Sequence, residues 1–181
     1  MSQLITEQPQ SLLTLGLLYR KDIHTRDEIL KKLPGNWSIF SLYEDLSSDI
    51  ATMKSYYSKE MGDESLLQRD FIIFHNLMPK NSLIELKELC QSLEFPSSEE
   101  IKRTLNLDFG LLSLENFLLA TGKSFSHRVY LDRGVFAELT YQADGSHYQT
   151  LPWTYPDYNH QSVIEFFEAG RHYLKTLLKD L

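Results

Sequence analysis

The 181-residue chain predicts an α+β fold on three observations. Short apolar runs such as Leu12–Tyr19 and Leu67–His75 have the length of buried strands rather than helices. Ser/Thr-x-x-Glu capping boxes at Thr25–Glu28, Ser82–Glu85 and Ser162–Glu165 each open a helical pattern. Turn residues at Asp132-Arg133-Gly134 and Asp144-Gly145 divide His127–Leu151 into a three-stranded β-meander. With 42% hydrophobic and 24% charged residues, the chain has the composition of a globular domain with a sizeable core.

In order, Leu12–Tyr19 is almost continuously apolar and reads as a central strand buried on both faces. Thr25 opens a helix that Pro34-Gly35 ends, and Trp37–Tyr43 returns as a second strand. Glu44–Gly62 is polar and aromatic, with a short helix closing at Gly62. Leu67–His75 is the third strand, centred on Phe71, Ile72, Ile73 and Phe74. Leu83, Leu86, Cys90 and Leu93 share one face of a second helix, stopped by Phe95-Pro96, and Thr104–Asp108 is a fourth strand. The order β-α-β-β-α-β is that of a ferredoxin-like antiparallel sheet with helices on one face, extended here by the meander and a packed C-terminal helix. Ser113–Thr121 reads equally as a short helix capped by Gly122 or as a strand. From Ser162 onward, Val163, Phe166, Phe167, Gly170, Leu174, Leu177, Leu178 and Leu181 trace one helical face. Met1–Gln10 is expected to be a flexible tail, and residues 11–181 a single domain.

The hairpin can be registered from its side chains. A three-residue loop, Asp132-Arg133-Gly134, opposes Leu131 to Val135, Val129 to Ala137 and Arg128 to Glu138, which keeps the apolar pairs on one face and the ion pair on the other. A two-residue loop would set Val129 against Glu138, so the pattern selects the first register.

Several strings in the chain also form a recognisable set: Asn106-Leu107-Asp108, Ala120-Thr121-Gly122-Lys123, His127-Arg128-Val129-Tyr130-Leu131, Ala137-Glu138, Trp153-Thr154-Tyr155-Pro156-Asp157-Tyr158 and, upstream, Tyr56-Tyr57-Ser58-Lys59-Glu60-Met61-Gly62. In these the chain resembles the bacterial domain-of-unknown-function family 4416, from about Leu12 to the C-terminus. It departs from the family pattern at Phe109, where Pro commonly follows Asn-Leu-Asp, and at Gly122, where a polar residue is common. The resemblance implies fold boundaries and a site location but no activity.

Composition narrows the function classes. A net charge of −7 argues against a binder of double-stranded nucleic acid, which needs a concentrated basic face. Cys90 is the only cysteine, which removes intramolecular disulfides and multi-cysteine metal sites. The six histidines have no paired metal-ligand spacing, so no metal is expected, and no motif names a cofactor. Gly122-Lys123-Ser124 resembles the end of a phosphate-binding loop, but Phe117 stands where that loop needs its first glycine. The first ten residues lack a signal-peptide pattern and no stretch approaches a membrane span, so a cytoplasmic protein with no membrane association is expected. Nothing in the sequence fixes an oligomeric state.

The candidate chemistry lies around residues 123–138. Lys123 and Arg128 are cations suited to an anion, with Glu138 orienting Arg128 for bidentate capture of a phosphate or carboxylate. His127 is the candidate catalytic residue, because imidazole titrates near neutral pH. Tyr57, Trp153, Tyr155 and Asp157 complete a ligand-binding set, the last three in a segment stiffened by Pro152 and Pro156. The expected ligand is a small anionic molecule, phosphorylated or nucleotide-like, bound or acted on here. The same residues have plainer readings: a core-edge histidine, an ordinary cross-strand ion pair and packing aromatics. The alternative function is a non-catalytic module that presents its aromatic segments to a protein or single-stranded RNA.

Overall fold

A computed structural model describes residues 10–44, 57–95 and 103–179. Most of the expected Met1–Gln10 tail, and Tyr56, Pro96 and Leu181, lie outside the described residues. Eight strands are described: β1 (Gln10–Arg20), β2 (Ile39–Glu44), β3 (Leu67–Pro79), β4 (Leu105–Leu112), β5 (Asn116–Thr121), β6 (Arg128–Asp132), β7 (Val135–Asp144) and β8 (His147–Thr150). Helices α1 (Arg26–Leu30), α2 (Leu83–Glu94) and α3 (Gln161–Leu177) accompany them, with a helical turn over residues 57–61. The strands form one antiparallel sheet in the order β2-β3-β1-β4-β5-β7-β6, and β8 pairs with the far end of β7, end to end with β6.

Strand β1 is buried at every position from Ser11 to Tyr19 because it lies between β3 and β4 and is covered on both sides. Alternate residues serve two cores. Leu13, Leu15 and Leu17, with Ile72, Phe74, Leu107 and Phe109, pack under Ile29 of α1 and Leu83, Leu86 and Cys90 of α2. On the other face Phe71, Ile73, Phe117 and Tyr141 pack against Val163, Phe167 and Leu174 of α3. Gly170 brings α3 close to the sheet, since a Cβ there would stand 2.5 Å from the Ile73 side chain.

The two helices of the β-α-β-β-α-β order thus share one face of the sheet, and the C-terminal helix takes the other. The meander and β3 present a second apolar face, and α3 covers it. As a whole, the eight-strand order is not that of a ferredoxin-like sheet. Residues 113–121 turn back as a hairpin rather than a helix: Ser113 N–H donates to Asn116 O at 2.8 Å and Asn116 N–H to Ser113 Oγ at 3.1 Å.

Of the three expected capping boxes, Thr25–Glu28 forms in full. Ser82 is itself helical, at the end of a 3₁₀ turn leading straight into α2, and makes no cap bond. At α3 the helix starts two residues earlier, after His160, and the Ser162 hydroxyl bonds Tyr43 Oη and His160 Nδ1 instead, both at 2.7 Å.

The hairpin keeps Arg128 opposite Glu138 and Val129 opposite Ala137, but its loop has two residues. Asp132 pairs with Val135, Arg133 and Gly134 take φ of 50° and 78°, and Leu131 is taken up as a bulge. Val129 is 67% exposed rather than on a buried apolar face, because β6 is an edge strand.

The sheet forks at one place. β4 and β5 pair only where Gly110–Leu112 face Phe117–Leu119. Further along β4 the outer edge carries no strand among the described residues, and the Glu94 carboxylate of α2 accepts the Leu107 N–H at 2.5 Å. A Cβ on Gly110, at the crotch, would stand 2.6 Å from the Phe117 ring and 2.9 Å from Leu118 O. No helix among the described residues is long and apolar enough to cross a membrane.

Candidate functional site

The fork opens into a cleft of about 260 Å³. Asn106 and Asp108 of β4 line one side, Leu119–Lys123 and Glu138 the other; Lys87, Gln91 and Glu94 of α2, with Tyr57, Glu60, Phe95, Arg103 and Tyr155, complete the wall. Residues 106 and 108 reach it together because alternation sends Leu107, between them, into the core.

Two buried arginines organise the polar groups. Asp108 Oδ2 accepts from Asn106 Nδ2 at 2.8 Å and from Arg69 Nη1 and Nη2 at 3.3 and 3.4 Å. Arg69 Nη2 also stands 2.7 Å from Asp157 Oδ2, a close charge contact without the angle of a hydrogen bond. Its guanidinium lies over the Phe71 and Tyr158 rings, 4.7 and 5.4 Å from their centroids. Burial works against the Arg69 charge, yet Asp157, Tyr158 and Asp108 hold its pKa above the ordinary arginine value. Burial raises the pKa of Asp157, with Arg69 opposing. Gly16 leaves room for the cluster, because a Cβ there would be 2.4 Å from Tyr158 Oη and 2.9 Å from Arg69 Nη2.

Arg128 is the second. Its Nε and Nη2 reach Glu138 Oε2 at 2.6 and 2.5 Å, its Nη1 donates to Lys123 O at 2.9 Å, and its Nη2 donates to Tyr155 Oη at 3.0 Å. All three nitrogens are occupied inside the protein, so Arg128 is a tie between the hairpin and two loops. Glu138 is 1% exposed, and its second oxygen, Oε1, is buried without a hydrogen-bond partner among the described residues. An unsatisfied buried acceptor costs about 1–3 kcal/mol.

His127 and Arg128 approach Glu138 together, although alternation along a strand would send them to opposite faces. The strand begins only at Arg128, and His127 belongs to the preceding turn, closed by Arg128 N–H to Phe125 O at 3.1 Å. His127 Nε2 lies 3.5 Å from Glu138 Oε2, and its ring stacks on Trp153 at 4.8 Å and 9°. Trp153 Nε1 donates to Leu139 O at 2.7 Å. Neither His127 nor Trp153 lines the cleft.

Of the residues expected from sequence, Lys123, Glu138, Tyr57 and Tyr155 meet at the cleft, while Arg128, His127, Trp153 and Asp157 stand behind its wall. Burial raises the Tyr57 hydroxyl and pushes Tyr155 up to about 12, with Glu138 adding to the latter. Sequence reasoning missed Asn106, Asp108, Lys87, Glu94 and Arg69. Arg69-Asp70, charged residues inside an otherwise apolar strand, was the legible signal. Glu94 is raised by burial and lowered by Arg103, whose Nη2 donates to it at 2.6 Å.

Residues 9–173 match the family model of a domain of unknown function, DUF4416. The chain belongs to this family. No curated protein and no solved structure matches it. The DUF4416 match includes every residue of the cleft, from Tyr57 to Tyr155.

Proposed function

We propose that this DUF4416 chain binds a small anionic ligand, phosphorylated or nucleotide-like, in the fork between β4 and β5. The observation that carries this reading is the pair Lys87 and Lys123: both line the cleft, and among the described residues neither forms an ion pair. An ammonium without a partner at a concave site offers an anion a charge-assisted contact without first breaking another. Tyr57, Phe95 and Tyr155 supply aromatic walls for a flat group. In this reading Lys87 takes the clamping role that the sequence suggests for Arg128. Arg128 holds Glu138 and Tyr155 in place, and His127 acts on the site only through Glu138.

The test is a thermal-shift screen of nucleotides, sugar phosphates and carboxylates on wild type, Lys87→Gln and Lys123→Gln. Stabilisation of wild type that falls in both variants supports the reading. Equal stabilisation of all three proteins by every active compound overturns it.

The interaction-module reading draws on the expected Trp153 and Tyr155, 36% and 38% exposed, and on further residues that were not expected. Phe125, Val129 and Tyr130 are 65%, 67% and 57% exposed on and beside the edge strand β6, whereas Tyr57 faces the cleft and Trp153 is tied to Leu139. A protein partner pairing along β6 would use them. Loss of partner capture on Tyr130→Ser, with anion binding unchanged, tests it.

We further read β1–β4 with α1 and α2 as a ferredoxin-like unit to which β5–β8 and α3 are added. The antiparallel order β2-β3-β1-β4 and the placement of both helices against one core support this. A cytoplasmic location agrees with the lack of a membrane-spanning helix among the described residues.

A further inference from the structure

Among the described residues four carboxylates line the cleft, and three of them are already engaged. Glu94 takes the Leu107 N–H on one oxygen and Arg103 on the other. Glu138 is 1% exposed and lies against Arg128 and the His127 ring. Glu60 stands at the rim, 3.7 Å from Arg103. Asp108 differs, because its two oxygens have unequal surroundings. Oδ2 takes Asn106 Nδ2 at 2.8 Å and both terminal nitrogens of Arg69. Oδ1 has no partner among the described residues, and the side chain keeps 25% of its surface exposed. Arg69, itself 1% exposed and also held by Asp157, fixes Asp108 in this position.

An acceptor in that setting selects among donors. A planar fork, such as a guanidinium or the edge of a guanine, needs both oxygens of a carboxylate side by side, and Oδ2 is taken. Oδ1 offers its lone pairs to single donors that converge on one atom. Two neighbouring hydroxyls on the same face of a sugar ring have that geometry. They bring no charge, which suits a carboxylate that already shares Arg69 with Asp157. We infer that Asp108 determines the specificity of the cleft by accepting the cis-vicinal hydroxyls of a sugar whose phosphate is held at Lys87 and Lys123. This deepens the anion-binding reading and rests on it for the phosphate end. A ribonucleotide and a free ribose phosphate share this chemistry, and the aromatic walls Tyr57, Phe95 and Tyr155 bear on the base of the former alone.

The test is calorimetric titration of the full chain with adenosine 5′-monophosphate, its 2′-deoxy and arabino analogues, ribose 5-phosphate and 2-deoxyribose 5-phosphate. A ribo compound is expected to bind about tenfold or more tightly than its deoxy counterpart in the nucleotide pair, the sugar-phosphate pair or both, which also tells the two sources apart. The arabino nucleotide carries its 2′-hydroxyl on the other ring face and should bind no better than the deoxy one. Asp108→Asn keeps an oxygen against Arg69 and turns an N–H to the cleft; it is expected to lower the ribo preference to about threefold or less while the deoxy compounds bind as before. Asp108→Ala, which leaves Arg69 paired with Asp157, should do the same. Equal affinity within both pairs overturns the inference, as does a preference that persists in both variants or that the arabino nucleotide shares. Adenosine and 2′-deoxyadenosine separate this inference from the reading beneath it. A ribo preference without any gain from phosphate upholds Asp108 and overturns the anion-binding reading, phosphate-dependent binding without a ribo preference does the reverse, and no binding by any ribo compound overturns both.

Discussion

Arg128 and Glu138 face each other across β6 and β7 with 2.5 Å between Nη2 and Oε2, and both side chains are almost wholly out of solvent. Cross-strand pairs of this kind contribute little when exposed, but a buried one leaves an uncompensated charge when half is removed. Arg128→Ala is therefore expected to cost about 3–5 kcal/mol, read by urea denaturation. Arg128→Ala/Glu138→Ala should cost less than the two single changes summed, since neither charge is then left alone. A cost below about 1 kcal/mol for Arg128→Ala would mean that the pair behaves as a solvated contact.

Gly16 sits under Tyr158 and Arg69, with no space for a methyl group. Gly16→Ala should destabilise by about 1–3 kcal/mol through overpacking. Gly122→Ala is the control, because a Cβ there meets nothing within 4 Å. Thermal unfolding of the two variants in parallel distinguishes a packed glycine from a turn glycine.

Asp157 is raised above the ordinary aspartate pKa by burial, with Arg69 opposing. A group whose folded pKa is raised holds its proton in the folded state after the unfolded chain has lost it. Its contribution is therefore present below the unfolded value, about 3.9, and declines as pH rises through the folded one. Asp157→Asn removes this decline, so its unfolding midpoint relative to wild type should improve from pH 4 to pH 7. A difference that does not change with pH, or that moves the other way, would contradict a raised Asp157.

Phe167 of α3 stacks on Phe117 at 4.7 Å and packs on the Phe71, Tyr141 and Tyr158 rings. Phe167→Ala should cost about 3–5 kcal/mol, and loss of α3 should unfold the sheet rather than trim it. Circular dichroism of a chain ending before Gln161 checks the second statement.

Much of the fold was legible because it depends on local patterns. The unbroken apolar run of β1, the Thr25–Glu28 cap and the amphipathic stripe of α3 each specify their own element. Ser82 and Ser162 had the right spacing for caps, but a preceding 3₁₀ turn and a hydroxyl partner on β2 took precedence. The site was legible in part for the same reason. Lys123 and Glu138 belong to one hairpin region, where neighbours in sequence stay neighbours in space. Lys87 and Asp108 reach the cleft only because β4 parts from β5 beneath the end of α2, a tertiary event with no local periodicity. The further ties of Arg128 were not legible, because sequence shows its partner but not that Tyr155 and the Lys123 carbonyl use its remaining donors.

The position of β1 in the sheet has a consequence for biogenesis. Its two neighbours, β3 and β4, begin at Leu67 and Leu105, so a ribosome releases this run of buried residues long before either partner exists. At ordinary translation rates the wait is on the order of ten seconds, with an apolar β-strand competent to pair with any other nascent chain. Holdase chaperones that bind short hydrophobic segments should therefore engage residues 11–19 during synthesis, and the yield of native protein in a cell-free system should rise when they are supplied.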